Sequence, residues 1–241
     1  MGPGREPPLT IVACSGGADS VALALALASA TRRVVIAHIV HDLRARSEAL
    51  ADRDSARALA ERLDLPFEEA EVSAGAGNAE AGARRARYRA LCRIAQGHGA
   101  AFVATAHHAD DQLESMVMAL LRGAGPSGMR GIAESRALGR GVRLIRPMLH
   151  LTRAQAREWC ELAGYEWRED ATNADVGRLR AALRHGPLAD IAGLRPRGAL
   201  LASRSAALLR DAAALVEQRA TVVFGNEDTW ERAVLREELP A

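Results

Sequence analysis

The sequence contains no lysine, so all 32 of its basic residues are arginine. A Walker A loop places a lysine on the β- and γ-phosphates of its nucleotide, and Schiff-base and pyridoxal enzymes use a lysine amine. The absence of lysine therefore excludes these classes of enzyme. The formal net charge of +2 is too small to indicate nucleic-acid binding by itself, because such binding depends on where charges cluster.

Cysteines and long apolar runs are also scarce. The cysteines Cys14, Cys92 and Cys160 lie far apart and form no CxxC pair, which indicates neither a disulfide framework nor a cysteine-ligated zinc site. The chain has no apolar run long enough to cross a bilayer, and residues 1–8 lack the basic-then-apolar order of a secretory signal. We therefore expect a cytoplasmic protein without a membrane partner, whose oligomeric state the sequence does not indicate.

Two kinds of apolar segment alternate along the chain. Short runs, many of them β-branched, predict strands at residues 9–14, 34–39, 67–72, 101–105 and 142–145. Longer segments predict helices at residues 21–30, 48–63, 80–96, 109–122, 152–163 and 200–218. This alternation predicts an α/β fold with a parallel sheet covered by helices on both faces. Ligands are then expected beyond the carboxyl ends of the strands.

A glycine-rich turn follows the first predicted strand. It consists of Ser15, Gly16, Gly17, Ala18, Asp19 and Ser20. At this position the backbone N–H groups and the helix dipole would face an anion, and glycine lets the main chain approach phosphate oxygens closely. The serine hydroxyls can add hydrogen bonds, and Asp19 can hold Mg²⁺ on the phosphates. An ordinary turn in which Asp19 caps the helix is the alternative, but the complete hexapeptide in this context favours phosphate binding.

A second polar group follows the fourth predicted strand. The apolar residues beyond it recur with helical spacing and predict a buried stripe: Leu113, Met116, Val117, Leu120 and Leu121. Asp111 and Glu114 lie off that stripe, three residues apart, so both are expected to face the cleft. Such a pair could bind a cationic amine, coordinate Mg²⁺ or accept a proton from an amine nucleophile, with helix capping as the alternative. A zinc site at His107, His108 and Asp111 is disfavoured, because adjacent histidines seldom converge on one metal.

Arginines cluster in two places. One cluster, with Tyr88, shares a predicted helix, and the other lies further along the chain: Arg84, Arg85, Arg87 and Arg89, then Arg178, Arg180 and Arg184. Arginine pairs bidentately with phosphate, and Tyr88 could stack on a base, so RNA contact is the functional interpretation. A solvated, charged helix face is the alternative.

Several motifs resemble those of the PP-loop ATP pyrophosphatases and, among them, of the tRNA(Ile)-lysidine synthetases. The glycine turn is similar to the SGGxDS signature of the superfamily. His107 to Ser115 resembles the HHxxDQxET motif of lysidine synthetases, and residues 122–131 resemble their RGxGxxGLxG loop. Further similar segments are His38 to Arg44 (HxxHGLR), the helix with Arg84, Arg87 and Tyr88 (ARxxRY), and Arg168 to Asp175 (WxEDxTNxD). The resemblance covers roughly residues 9–188.

This resemblance implies an adenine nucleotide alpha hydrolase-like domain at residues 1–188 and a short helical extension or linker at residues 189–241. It implies a ligase that uses ATP and Mg²⁺ to activate C2 of the wobble cytidine in an isoleucine tRNA with a CAU anticodon, after which the ε-amine of free L-lysine displaces AMP. By position, Ser15 to Ser20 would hold ATP and Asp19 the magnesium ion, while Asp111 and Glu114 would bind lysine and act with Asp19 in catalysis. The residues expected to contact tRNA are Arg84, Arg87, Tyr88, Arg180 and Arg184.

Other functions are weighed against this one. A PP-loop enzyme that thiolates tRNA or transfers a different amine is the nearest alternative, although the most similar thiolases use CxxC pairs. An amide-forming synthetase acting on a small nucleotide would leave the arginine-rich helix without a purpose. A non-catalytic RNA-binding relic of the fold would be expected to have lost Asp19 or Asp111, and both are present.

Overall fold

Strands and helices alternate through most of the chain in a computed structural model that describes residues 6–42, 45–73, 79–168 and 179–224. The strands within these ranges are β1 (Thr10–Ala13), β2 (Val34–His41), β3 (Phe67–Val72), β4 (Phe102–Ala104), β5 (Ser135–Gly139) and β6 (Val142–Ile145). The helices are α1 (Ala18–Ala30), α2 (Arg46–Arg62), α3 (Ala79–Gly97), α4 (Ala109–Leu121), α5 (Arg153–Leu162), α6 (Leu179–His185), α7 (Pro187–Leu194) and α8 (Gly198–Phe224). The motif residues Leu43, Arg44, residues 169–175 and Arg178 lie outside the described ranges.

The six described strands form one sheet in the order β3-β2-β1-β4-β6-β5. Neighbouring strands are parallel except for the hairpin of β5 and β6. Ile11 of β1 pairs with Val35 on one side and Val103 on the other, so β1 lies in the interior of the sheet. The chain order reverses between β1 and β4, and in sheets of this kind a ligand crevice opens at the carboxyl ends of such a strand pair.

Apolar side chains from the sheet enter two separate cores, one on each face. Val12 and Ile36 pack with Leu23 of α1 on one face, where α2 and α5 also contribute. Ile11 and Val103 pack with Leu91 of α3 on the other. Successive residues of a strand point to opposite faces, which is why neighbouring Ile11 and Val12 separate. The predicted α/β fold with helices on both faces of a mainly parallel sheet is confirmed.

A corner between α4 and α8 joins the carboxyl-terminal helix to the sheet domain. The Ser203 hydroxyl of α8 donates to the Leu149 carbonyl over 2.7 Å, and Arg210 donates to the Ile132 carbonyl over 3.2 Å. The Gln112 side chain of α4 bonds both backbone groups of Ile132, at 2.8 Å and 2.6 Å. A helical carboxyl-terminal segment is thus confirmed, and no helix in the described ranges is both long and apolar enough to span a bilayer.

The structure corrects part of the predicted burial of α4. Leu120 and Leu121 were predicted to be buried but are 61% and 62% exposed, so the predicted stripe is wrong at its end. The inward face of α4 instead carries the polar residues Gln112 and Glu114, which are fully buried. Both can be buried because each has polar partners there: the backbone of Ile132 for Gln112 and arginine side chains for Glu114.

Candidate active site

A cavity of about 440 Å³ opens at the carboxyl ends of β1, β2 and β4. It brings together residues from the glycine turn, the strand ends, α3, α4 and α6. Its polar lining includes Ser15, Asp19, Ser20, His38, Asp52, Arg87, His107, Asp111, Arg180 and Arg184. The structure therefore places most of the predicted site residues around one space, although they come from distant parts of the sequence.

The glycine turn is ordered by one serine. The Ser20 hydroxyl accepts the Ser15 backbone N–H over 3.1 Å and donates to the Gly17 carbonyl over 2.9 Å. Ser20 is 5% exposed and also lines the cavity beside Ser15, so hydrogen bonds from both serine hydroxyls to phosphate stay a prediction. Because α1 begins at Ala18, the first backbone N–H groups of that helix and its dipole are directed at the same space.

Gly16 makes the close approach that the turn requires. Its φ angle is +85°, and an added Cβ would lie 3.1 Å from the Asp52 carbonyl oxygen of α2. Arg168 covers this position, since its backbone N–H donates to the Gly16 carbonyl over 3.0 Å and its Nε donates to Asp52 over 2.8 Å. Neither Asp52 nor the role of Arg168 was predicted, because this contact joins residues that are 116 positions apart.

Asp19 lies where a magnesium ligand is expected. Its Oδ2 atom is 3.4 Å from Nε2 of His108 and 3.7 Å from Nε of Arg153. Its Oδ1 atom is buried and has no hydrogen-bond partner among the described residues. In the described ranges no group of three or more His, Cys, Asp and Glu side chains could hold a metal. Mg²⁺ commonly binds through one or two carboxylates plus substrate phosphates, and a single carboxylate oxygen fits that pattern.

His108 joins the two predicted parts of the site. It is 1% exposed, with Nε2 3.6 Å from Asp111 Oδ2 and Nδ1 3.4 Å from Asp110 Oδ2. Burial alone would lower the pKa of His108, but Asp110, Asp19 and Asp111 outweigh it and raise the pKa to about 9. Burial would likewise raise the pKa of Asp110, but His108 and the backbone N–H of Arg153 lower it to about 2. A buried imidazolium therefore holds three carboxylates together.

His107, in contrast to His108, is uncharged near neutral pH. Burial, together with Arg146, Arg84 and Arg87, lowers the pKa of His107 to about 3, although Asp111 opposes the shift. Nδ1 of His107 lies 3.0 Å from the Thr105 hydroxyl. His107 is therefore a neutral wall of the cavity near neutral pH.

The predicted amine site and the second arginine cluster contact each other. Glu114 is bound by Nε of Arg180 at 2.8 Å and by Nε of Arg184 at 2.6 Å. Asp111 lies 3.5 Å from Nη2 of Arg180 and also accepts the His108 backbone N–H over 3.1 Å, so it caps α4 as well. Asp111 lines the cavity as predicted, whereas Glu114 is 2% exposed and is covered by the two guanidinium groups. The prediction that both carboxylates face the cleft is corrected for Glu114, because its buried charge requires these partners.

Tyr88 is placed differently from its prediction. Its side chain is 7% exposed and packs in the core on the α3 face of the sheet. A ring buried in this way is not accessible to a stacking base, so the predicted stacking role does not fit this structure. Arg84 and Arg87, from the same helix, have their guanidinium groups 5.3 Å and 5.7 Å from the centre of the Tyr88 ring.

Known proteins are similar to this chain over most of its length. Residues 4–189 match the PP-loop domain family. A tRNA(Ile)-lysidine synthase from Salinispora tropica is 41% identical over 230 residues, which cover 91% of this chain and 68% of the relative. The synthase from Deinococcus deserti is 40% identical over 227 residues, 88% of this chain and 40% of the relative. The chain thus spans between two fifths and about two thirds of the length of these relatives.

A solved structure shows the same fold at low sequence identity. The U34-tRNA thiolase NcsA from Methanococcus maripaludis superposes with a TM-score of 0.67 at 14% identity, covering 86% of this chain and 74% of that one. The predicted architecture is thereby confirmed by a second route.

Proposed function

Because this chain belongs to the PP-loop family and, within it, to the tRNA(Ile)-lysidine synthases, we propose that it joins free L-lysine to C2 of the wobble cytidine in a CAU-anticodon isoleucine tRNA. The cytidine O2 attacks the α-phosphorus of ATP and releases pyrophosphate, and the lysine ε-amine then attacks C2 and releases AMP with a proton. The observation that carries the proposal is the shared cavity, which has the glycine turn on one wall and Asp111 on another.

The nucleotide would lie against the turn that follows β1. The Ser15 hydroxyl and the first N–H groups of α1 would donate to phosphate oxygens, and the two glycines permit the close approach. Mg²⁺ held by Asp19 Oδ1 would neutralise phosphate charge that builds up as the bond to pyrophosphate breaks. Arg153 and His108 keep the Asp19 carboxylate in place through its other oxygen.

The amine would enter beside Asp111. A carboxylate at this position would bind the ammonium group of lysine and orient it before attack. This orientation would lower the activation barrier, because the two reactants are already held together. Glu114 is available only if the amine displaces Arg180 or Arg184, since both guanidinium groups now contact it. The two arginines therefore compete with lysine for the carboxylates, and once displaced they would bind RNA phosphate.

The RNA would approach the side of the cavity that carries α3 and α6. Positive charge is supplied there by Arg84, Arg87, Arg180 and Arg184. The Tyr88 ring packs against the guanidinium groups of Arg84 and Arg87. Since tRNA and free lysine are its proposed substrates, we propose that the reaction takes place in the cytoplasm.

A coupled assay tests the proposal. Purified protein would be given ATP, Mg²⁺, labelled lysine and a CAU-anticodon isoleucine transcript, and both pyrophosphate and label on the RNA would be measured. We expect both products from the wild type. Asp111→Asn should lower label transfer by about a hundredfold, because it removes the charge that positions the amine. Asp190→Asn, which removes an exposed carboxylate on α7, is the matched control and should behave as the wild type.

Two outcomes would contradict the proposal. Label transfer that survives Asp111→Asn would remove Asp111 from the amine site. Pyrophosphate release by the wild type without any label transfer would mean that a different nucleophile attacks the activated base.

Thiolation by the chain's own cysteines fits the structure poorly. Burial raises the pKa of Cys14, and burial with nearby Asp19 raises the pKa of Cys160 to about 11. Sulfur transfer requires a thiolate, and these two thiols remain protonated near neutral pH.

A further inference from the structure

Four arginines converge on the Tyr88 side chain beside the cavity. The guanidinium carbons of Arg84, Arg87 and Arg136 lie 5.3, 5.7 and 5.0 Å from the centre of the ring. Arg146 approaches from the end of β6 and interacts with the Tyr88 hydroxyl. The four side chains come from α3, β5 and the residue after β6, so the cluster joins three elements of the fold.

The cluster has no counter-charge among the described residues. Other arginines pair with carboxylates, as Arg32 does with Asp64, but within the described part of the chain none of these four arginines does. Burial lowers the pKa of Arg87 and of Arg146, and neighbouring arginines lower both further, while the Tyr88 hydroxyl opposes the shift. Positive charges are therefore held close together at a cost that a bound anion would relieve.

Arg146 is the buried base of this cluster. It is 5% exposed, and its Nη1 donates to the Ala133 carbonyl over 2.5 Å. Its Nε is buried without a hydrogen-bond partner among the described residues. A buried N–H group without a partner, next to other unpaired guanidinium groups, indicates a missing ligand, because such groups are normally satisfied.

The cluster adjoins the cavity through Arg87. Arg87 lines the cavity, and Arg84, Arg87 and Arg146 all act electrostatically on His107, which also lines it. A ligand bound by the four arginines would therefore lie next to the reacting groups.

We propose that Arg84, Arg87, Arg136 and Arg146 form a phosphate-binding site, with Tyr88 as its support. Several guanidinium groups from different directions suit a tetrahedral phosphate, whose oxygens accept from more than one side, better than a planar carboxylate. In the proposed function, on which the source of the ligand rests, the phosphate belongs to the RNA backbone beside the target nucleotide or to the released pyrophosphate. Arg136 and Arg146 are thereby added to the residues that bind substrate.

Binding measurements with the full chain test this site. Arg84→Gln combined with Arg136→Gln removes two exposed members and leaves the buried base intact. Arg93→Gln combined with Arg140→Gln removes the same charge from exposed positions of α3 and the β5–β6 turn, and serves as the control. Affinity for a fluorescein-labelled CAU anticodon stem-loop would be measured over a salt series, and affinity for inorganic pyrophosphate by titration calorimetry.

The two probes separate the sources of phosphate. If the ligand is RNA phosphate, the site variant should bind the stem-loop about tenfold more weakly, with a salt slope smaller by about one, and pyrophosphate should bind as before. If it is pyrophosphate, that affinity should fall about tenfold while the stem-loop binds as before. Affinities for both probes equal to those of the control variant would overturn the site. Neither binding measurement depends on lysine transfer. The phosphate site can therefore be contradicted while the proposed function holds, and the proposed function can be contradicted while the phosphate site holds.

Discussion

His107 and His108 are adjacent in the sequence, yet their pKa values are shifted in opposite directions. The carboxylates of Asp110, Asp19 and Asp111 keep His108 charged, while burial, reinforced by nearby arginines, keeps His107 neutral. For His108, the pKa is raised from 6.5 to about 9 on folding. The stabilisation is therefore complete below about pH 6.5, where the ring is charged in both states, and is lost as the pH rises through about 9.

The free energy of unfolding should follow this window. We expect it to fall by about 1–3 kcal/mol between pH 6.5 and pH 9 in the wild type, after allowing for the strong coupling of His108 to its carboxylates. His108→Gln should be less stable at pH 6.5 and should have a flatter profile, as measured by urea denaturation. Ser29→Ala, which alters an exposed side chain of α1 that does not titrate, is the control and should keep the wild-type profile. An unchanged pH dependence in His108→Gln would show that another group titrates.

Sequence reasoning found the site residues that are marked by local motifs. Asp19 and Asp111 each follow a predicted strand, and the structure brings both to one cavity. It missed Asp52 and the central position of His108, whose partners lie far away in the sequence. It also misplaced Tyr88 and Glu114, because no local sequence pattern indicates whether a polar side chain on a helix will be buried against residues from another element.

Elements with strong local signals were predicted well. β6 matches the predicted residues 142–145, and α5, capped by Thr152 through the Gln155 N–H, matches the predicted helix at residues 152–163 to within one residue at either end. β5 was not predicted because Ser135–Gly139 has no β-branched residue, and it exists as the edge strand that pairs with β6. The short helices α6 and α7 were missed as well, since so few residues carry little periodicity.

Gly131 should be the most sensitive residue of the α4–α8 corner. Its φ angle is +63°, and an added Cβ would collide with the Gln112 side chain and lie 3.1 Å from Cβ of Ala206. Gly131→Ala should lower the free energy of unfolding by about 2–4 kcal/mol, combining backbone strain with loss of the Gln112 hydrogen bonds. Urea denaturation would measure the change.

Gly99 provides the comparison for Gly131. Its φ angle is +65°, but an added Cβ would have no atom within 4 Å. Gly99→Ala should therefore cost only the backbone strain, about 1–2 kcal/mol. Equal losses for the two variants would mean that the contact with Gln112 does not stabilise the corner.

At the scale of the whole molecule, the reversal of strand order between β1 and β4 determines where the cavity opens. Alternating strands and helices were enough to predict this edge of the sheet. The size of the cavity depends on α3 and α6, whose positions come from packing and ion pairs. The division of the chain at residue 188 stays a prediction.

Nucleotide binding should stabilise the whole fold through Asp19. With ATP and Mg²⁺ at about a hundred times the dissociation constant, the free energy of unfolding should rise by about 2.7 kcal/mol, seen as a higher Tm in calorimetry. Asp19→Asn should lose the part of this rise that depends on Mg²⁺. Asp64→Asn, at an exposed carboxylate paired with Arg32, should keep it. A full magnesium-dependent rise in Asp19→Asn would place the ion elsewhere.

The contacts of Arg180 and Arg184 with Glu114 and Asp111 also bear on competition from inorganic ions. A bare pair of carboxylates would attract potassium, which is abundant in cells and carries the same charge as an ammonium group. Here the pair already has tethered guanidinium partners, and an alkali ion that has lost its water has no directional hydrogen bonds with which to replace them. Only a cation that donates hydrogen bonds can take their place, so ionic composition should matter little to occupancy.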